Sequence, residues 1–587
     1  MSHAKGSFWA IAVAVCLVAA PEAWAQAPDA SEAASAAAAS PAAAPQAPQA
    51  TSQVLLDGHL KNPRNWPHYG GNYDNTRYSP LSLINTTNVA TLTPRWVYQT
   101  GVVASFETTP VVIDGTMYIT TPYNHAIALD ARTGKKKWEY VHKLTGDEIF
   151  CCGPNNRGVA AYQDKVYMAT LDARLVALSA ADGKVVWDVE TGDPMAGYSQ
   201  TMAPLATPDG KILIGTSGAE YGIRGFLKAY DANTGKLLWT WYTIPSPQEG
   251  GWWGTWTNTA LGGNESLNRN IRQEKADSAR HADAWTRGGG SIWMTPAYDP
   301  EKKVVFVAIG NPSPDLDGSI RPGDNRWTEG ICAINVETGK QKWCQQTIAH
   351  DVWDLDAVSP VALYFAEFQG RRRLVAGHAG KIGWYFVFDA ETGRLLKRSA
   401  NYVPHENLFA QPTNEGVRML PGANGGTEWS PTAYSPQTGY VYIQNLHQPM
   451  NYIVHSTPYE KGKLWLGSAF VAIPGEDQCG NTVAVNPVTG RVEWEVRYDD
   501  PGIGGLLATA GGLVFGSEGS GPFAGYDAKT GTKLWQYNAG SGCNAAAMTY
   551  QLDGEQFIAV ACGGNFQLNY PYGNSLYVFG LPKRFMP

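Results

Sequence analysis

The sequence predicts an all-β protein, an eight-bladed β-propeller with tryptophan-docking repeats, and three observations predict it. First, one pattern recurs seven times: "ALDARTGKKKW", "ALSAADGKVVW", "AYDANTGKLLW", "AINVETGKQKW", "VFDAETGRLLK", "AVNPVTGRVEW" and "GYDAKTGTKLW". Each copy reads as an alternating strand, a D-x-x-T-G type of turn, and a second strand that usually ends in Trp. Second, each copy follows another hairpin, such as "PVVIDGTMYITT" or "LATPDGKILIGT", and two hairpins make one four-stranded sheet that cannot bury its faces alone. Third, 64 Gly, 21 Trp and 29 Tyr with only 17% charged residues favour short strands and tight turns over helices. A two-domain β-sandwich would account for the strands but not for the repeat.

Taken in order, the chain opens like a secretory signal peptide over residues 1–25. Lys5 supplies the positive end, "FWAIAVAVCLVAA" the apolar run, and "AWA" at 23–25 the small-x-small cleavage site. That run is too short to span a bilayer, and no later apolar run approaches the ~20 residues a span needs. Residues 26–57 begin as an Ala/Pro/Ser tract with little to bury, which reads as a disordered leader before a propeller over 58–587. The mature protein is therefore expected to be soluble and exported to a periplasm.

The sheet units begin near residues 108, 158, 201, 293, 359, 429 and 504. In each turn the Gly supplies a positive φ, and the Asp or Asn side chain hydrogen-bonds its own turn. An eighth unit, "AAMTYQLDGEQFIAVACGG" with "NSLYVFGL", lacks a following repeat, and the early strand "PRWVYQT" at 94–100 can supply its outer strand and close the ring. Residues 244–290 and 446–478 are long insertions of the kind that form lids or binding loops.

The net charge of −7 and a pI near 5.9 exclude a basic footprint for nucleic acid and suit a cationic partner. Export permits disulfides. Cys332 and Cys344 straddle "NVETGK", and Cys543 and Cys562 straddle "QLDGEQ", each pair placed as cross-strand partners in a hairpin; Cys479 is left over. Cys151 and Cys152 are adjacent, and in exported proteins such neighbours usually belong to two separate bridges. The D-x-D pair Asp354 and Asp356 in "HDVWDLDAVSP" can be a solvated turn, a shared acid/base, or half of a cation site.

Together with the Trp-ended repeat, "FCCGPNNRG" (150–158), "SGAEYGIRG" (217–225), "GGGSIW" (288–293), "GNPSP" (310–314), "RPGDNRWT" (321–328) and "HDVWDLD" (350–356) resemble the pyrroloquinoline quinone (PQQ)-dependent alcohol dehydrogenases, eight-bladed quinoproteins, from about residue 60 to 583. The resemblance implies that Cys151–Cys152 form a vicinal disulfide over one face of PQQ and that Trp293 lies under the other. It further implies Arg157, Glu107, Thr201, Ser217, Gly218, Ala219, Ser291, Gly504 and Gly505 as cofactor contacts, with Lys381 donating to the quinone oxygens. A lone Lys is otherwise an ordinary surface residue. Glu220, Asn311 and Asp354 match the family's cation ligands, all hard oxygen donors suited to Ca²⁺ or a lanthanide and wrong for zinc or copper.

In the family, a second Asp two positions after the catalytic one marks the lanthanide-dependent members, and Asp356 stands there. A trivalent ion offsets the extra negative charge that would repel around a divalent one. The opening alternatives for D-x-D then resolve to a cation site with Asp354 as catalytic base, in an enzyme that oxidises primary alcohols by hydride transfer to PQQ. Calcium is the alternative ion, and a non-catalytic propeller scaffold the alternative class. With no C-x-x-C-H for a covalent haem, electrons are expected to pass to a separate soluble cytochrome c; a homodimer is left open. The chain departs from the family at Glu428 of "GGTEW", where Asn is common, and at Ile503, where many members have Trp.

Overall fold

The computed structural model describes residues 48–582, which are almost entirely strands and the turns between them. Eight sheets carry four antiparallel strands in the consecutive order the two-hairpin unit requires; one of them gains a fifth, parallel strand, Tyr78–Ser79, beside Leu507–Thr509. The strand Thr93–Gln99 pairs with Ser575–Gly580, so the C-terminal sheet takes its fourth strand from the N-terminal side of the chain.

Burial grades across each sheet. In the first unit Val111–Ile113 and Thr116–Thr120 are buried on both faces, whereas the outer strand Lys136–Val141 alternates between exposed and half-buried residues. Strands covered on both faces need continuous apolar runs, and those at the rim need only every second residue. This is why the sequence shows clean alternation only in the Trp-bearing strands.

In five of the units the repeat Trp hydrogen-bonds into the turn of the next. Trp138 Nε1 donates to Ala180 O (3.0 Å), Trp187 to Ala232 O (3.1 Å), Trp239 to Val336 O (2.8 Å), Trp343 to Ala390 O (3.0 Å) and Trp494 to Ala528 O (3.2 Å). Each acceptor follows the Asp, Asn or Ser that opens the next unit's turn. In that turn Asp231 Oδ1 accepts from the amides of Asn233 and Thr234 and from the Thr234 hydroxyl. The turn Gly has a second duty: Gly339 has φ 67°, and a Cβ there would sit 2.7 Å from the Trp239 ring. Any side chain would lift the indole off its acceptor.

Two expectations need correction. The leader does not run to residue 57. Ala50 pairs with Gln163 and is buried, Thr51 caps the helix Ser52–Lys61, and Leu55 is buried against the first sheets. Two of this short segment's partners, Gln163 for Ala50 and Pro208 for Ser52, lie more than a hundred residues away, so its composition did not reveal them. The signal peptide and residues 26–47 lie outside the described residues. The second insertion is not structureless either: Met450–Val454 and Ser468–Ala472 form a three-stranded sheet with Val417–Met419. The first insertion contains the helix Ile271–Asp277 and three short 3-10 helices, Pro247–Glu249, Ser278–His281 and Ala284–Arg287.

All three expected bridges are formed: Cys332–Cys344, Cys543–Cys562 and Cys151–Cys152, with Cys479 free and half-buried. Cys332 and Cys344 are directly opposed in the ladder. Cys543 instead lies in the loop before Met548–Leu552 and ties that loop to the strand Glu555–Cys562.

Two buried histidines pin the N-terminal helix. His59 bonds Asn65 O and Ser79 Oγ, each at 2.7 Å, and His68 bonds Leu55 O at 2.9 Å; burial pushes both imidazoles down to about 4. Above pH 6.5 both are neutral folded or unfolded. Between 6.5 and about 4 only the unfolded chain takes up protons, so each neutral histidine loses about 3 kcal/mol of stabilisation across that window. The protection factors of residues 50–62, taken relative to the intrinsic amide exchange rate at each pH, should fall steadily from pH 6.5 to 4; protection that is flat across that range contradicts the assignment.

Candidate active site

Loops from successive sheets converge on a cavity of about 540 Å³. Its wall includes eleven of the residues singled out from the sequence: Cys151, Cys152, Arg157, Thr201, Ser217, Gly218, Glu220, Trp293, Asp354, Asp356 and Lys381. Several irregular backbone positions place them. Cys152 has φ 66° and Asp354 φ 57°, in the left-handed region that costs a non-glycine residue about 1–2 kcal/mol. Asp351 holds the second of these, accepting from Asp354 N at 2.9 Å. Asn155 Nδ2 fastens Cys152 O at 3.0 Å.

Lys381 organises the acidic end. Its Nζ lies 3.2 Å from Asp354 Oδ2 and 3.0 Å from Asp356 Oδ2. The "GGTE" loop clamps the lysine backbone, Gly426 N donating to Lys381 O at 2.7 Å. Burial pulls the ammonium down, but the two aspartates outweigh it and keep it charged. Burial pushes Asp354 well above the usual carboxylate range, with Asp356, Asp351 and Glu220 adding repulsion. Burial likewise raises Glu220 to about 7, helped by Asp356 and Glu428.

The remaining expected residues stand behind the wall. Glu107 Oε2 lies 2.8 Å from Arg157 Nη2, and Asn565 donates to its other oxygen. Ser291 Oγ accepts from Ala219 N at 3.0 Å. Asn311 N donates to Asp356 Oδ1, so the amide residue supports the second aspartate directly. Gly504 and Gly505 do not belong to the wall: their amides are taken by Ser430 Oγ (3.1 Å) and Gln444 Oε1 (2.9 Å). Of the two departures, Glu428 lines the cavity with its Oε2 accepting from Trp429 N, and Ile503 packs below it in an apolar cluster with Trp429 and Met294.

Sequence reasoning missed Asp315 and most of the apolar wall. Phe150 and Tyr221 stand inside the quoted motifs without an assigned role and Phe566 carried no motif signal, whereas Met450, Leu464 and Phe470 come from the insertion already marked as a binding loop.

Comparison with known proteins decides the family. The model described as "PQQ: Glucose/ethanol/alcohol dehydrogenase, beta-propeller domain" matches residues 66–398 and 475–558. The chain belongs to this PQQ β-propeller family. It is 33% identical over 571 residues to the quinoprotein alcohol dehydrogenase PedH of Pseudomonas putida, across 91% of this chain and 94% of that one. It is 33% identical over 556 residues to a quinoprotein ethanol dehydrogenase of Pseudomonas aeruginosa, across 87% and 86%. Among solved structures, a europium-containing methanol dehydrogenase superposes with a TM-score of 0.80 at 30% identity, covering 90% of this chain and 100% of that one.

The residues present fit the family's cofactor. Arg157 Nε and Nη1 are buried without an acceptor, as donors awaiting a carboxylate would be, and its guanidinium lies over the Trp293 and Trp429 rings at 5.0 and 4.7 Å. For a cation, Asn311 Oδ1 is buried without a donor beside Asp356. Among the described residues no three His, Cys, Asp or Glu side chains form a ready cation cage. One expected donor is an amide, and two others lean on Lys381.

Replacing Arg157 by Met should leave Glu107 as an uncompensated buried charge and cost about 3–5 kcal/mol of stability. Adding Glu107→Gln should restore most of it. Denaturant unfolding of the cofactor-free protein checks this, and equal stability of the single and double variants contradicts the pairing.

Proposed function

We propose that this chain is a periplasmic PQQ-dependent dehydrogenase that oxidises primary alcohols to aldehydes. We place the eight sheets as eight blades of one ring latched by the repeat tryptophans, a lanthanide ion (calcium the alternative) at the hub, and a separate cytochrome c as electron acceptor. Residues 1–25 are read as the export signal. One observation carries the activity: a buried carboxylate, Asp354, is held by a lysine in a cavity roofed by adjacent bonded cysteines and lined by an arginine with free donors.

PQQ, when bound, supplies the acceptor for the two electrons that leave the alcohol carbon as hydride. Arg157 and the hydroxyls of Thr201 and Ser217, 3.0 Å apart, would hold it, with Cys151–Cys152 and Trp293 toward its faces. Asp354 takes the hydroxyl proton. Burial makes it a stronger base than a solvated carboxylate, and its left-handed backbone aims it from a rigid turn. Lys381 offsets the charge of Asp354 and Asp356 and donates where negative charge grows during turnover. Glu220, Asn311, Asp354 and Asp356 would hold the ion, which acts as a Lewis acid. The lanthanide reading is supported by the two aspartates sharing one lysine: a trivalent ion offsets more of that charge than calcium does.

Asp354→Asn keeps the shape but removes the base, and should lower kcat at least a thousandfold while PQQ still binds, read from the quinone absorbance of the loaded protein. Normal turnover contradicts the role. Asp356→Asn should shift the preferred ion from La³⁺ toward Ca²⁺ when cofactor-free protein is reconstituted with PQQ and each ion in turn and assayed with a dye acceptor. An unchanged preference would count against Asp356 as the selecting ligand.

A further inference from the structure

Asp315 lies on the loop after the strand Val304–Ile309, lines the cavity, and is 1% exposed. Its Oδ1 is buried without a hydrogen-bond partner, and it makes no ion pair among the described residues. The charge of Arg321 acts on Asp315, but the guanidinium makes no hydrogen bond or ion pair with its carboxyl. That guanidinium is spent on Pro314 O (2.7 Å), Asp315 O (2.8 Å), Asp351 O and Asn325 Oδ1 (2.6 Å), so it fixes the loop's backbone and leaves the carboxyl without a hydrogen bond. Asp354, Glu220 and Asp356 act on Asp315 with like charge, against the single opposite charge of Arg321.

The charge balance of the wall shows the same deficit. Five carboxyl groups face the cavity, from Glu220, Asp315, Asp354, Asp356 and Glu428, against two cations, Arg157 and Lys381. Arg157 is already matched by Glu107. An ion held by Glu220, Asn311, Asp354 and Asp356 leaves Asp315 outside its four expected donors. A neutral alkanol would bury that carboxyl without compensation, a cost of several kcal/mol. A positively charged group would compensate it. The aromatic rings of Phe150, Tyr221, Phe470 and Phe566 on the same cavity are surfaces a cation prefers.

We propose that Asp315 is a specificity-determining residue that receives the ammonium of a positively charged alcohol, making amino alcohols the preferred substrate class. This rests on the alcohol dehydrogenase reading above and deepens it. Asp315 pairs with the charged end while the hydroxyl end reaches Asp354.

The test compares 3-aminopropan-1-ol, an ammonium at neutral pH, with its neutral isostere butan-1-ol, in protein loaded with PQQ and La³⁺. The ratio of their kcat/KM values should fall at least tenfold in Asp315→Asn, a variant that removes an unpaired buried charge and so should fold. Calorimetry with propylammonium, which lacks the reacting hydroxyl, should show binding weakened at least tenfold by the same change. A ratio and a propylammonium affinity that do not move overturn the proposal. So does loss of bound La³⁺ from Asp315→Asn, which would make Asp315 an ion ligand. If neither alcohol is oxidised yet propylammonium binding still depends on Asp315, the reaction assignment fails and the ammonium site stands. Oxidation of both alcohols with an unmoved ratio sinks the site alone.

Discussion

Buried negative charge sets the terms for this molecule. Asp354 and Asp356 reach the same ammonium, Lys381 Nζ, from one short turn, and Glu220 and Asp351 crowd the same volume. A carboxylate so placed is stable only with a positive partner, and one lysine cannot serve all of them. The pocket is therefore built to be completed by something positive. Burial first, and then the like charge of its neighbours, raises Asp354 well above the usual carboxylate range.

The frame exists to hold those loops still. Five repeat indoles, those of Trp138, Trp187, Trp239, Trp343 and Trp494, reach into the next unit's turn, where the turn glycine leaves room for the ring, so displacing one of these sheets would break a hydrogen bond and a ring contact together. The fifth unit ends in Lys397 where the others have Trp; there Ala400 N donates to Gly490 O at 2.8 Å and keeps the register by backbone alone. On this rigid support the strained turns at Cys152 and Asp354 become affordable, and the sheet formed by the second insertion can bring Met450 and Phe470 over the cavity.

Much of this was legible in the sequence because it repeats. The strand–turn–Trp unit advertises its spacing, and the order of short motifs marked Cys151, Glu220, Trp293, Asp354 and Lys381, which the fold gathers from distant stretches. The illegible parts depend on partners that no local pattern encodes. Gly504 and Gly505 look like cofactor contacts until Ser430 and Gln444 are seen to take their amides. Residues 50–57 look like leader until Ala50 meets Gln163. Asp315 sits in an ordinary loop, and only the fold shows that Arg321 bonds its backbone carbonyl and not its carboxyl.

The central claim is that these carboxylates and Arg157 form one joint receptacle for a quinone and a hard cation. The most direct measurement is the quinone and metal content of protein refolded with excess PQQ and La³⁺, then desalted. The account predicts one PQQ and one ion retained per chain, each lost readily when the other is omitted. Protein that keeps neither, or holds the ion equally well without the quinone, would contradict it.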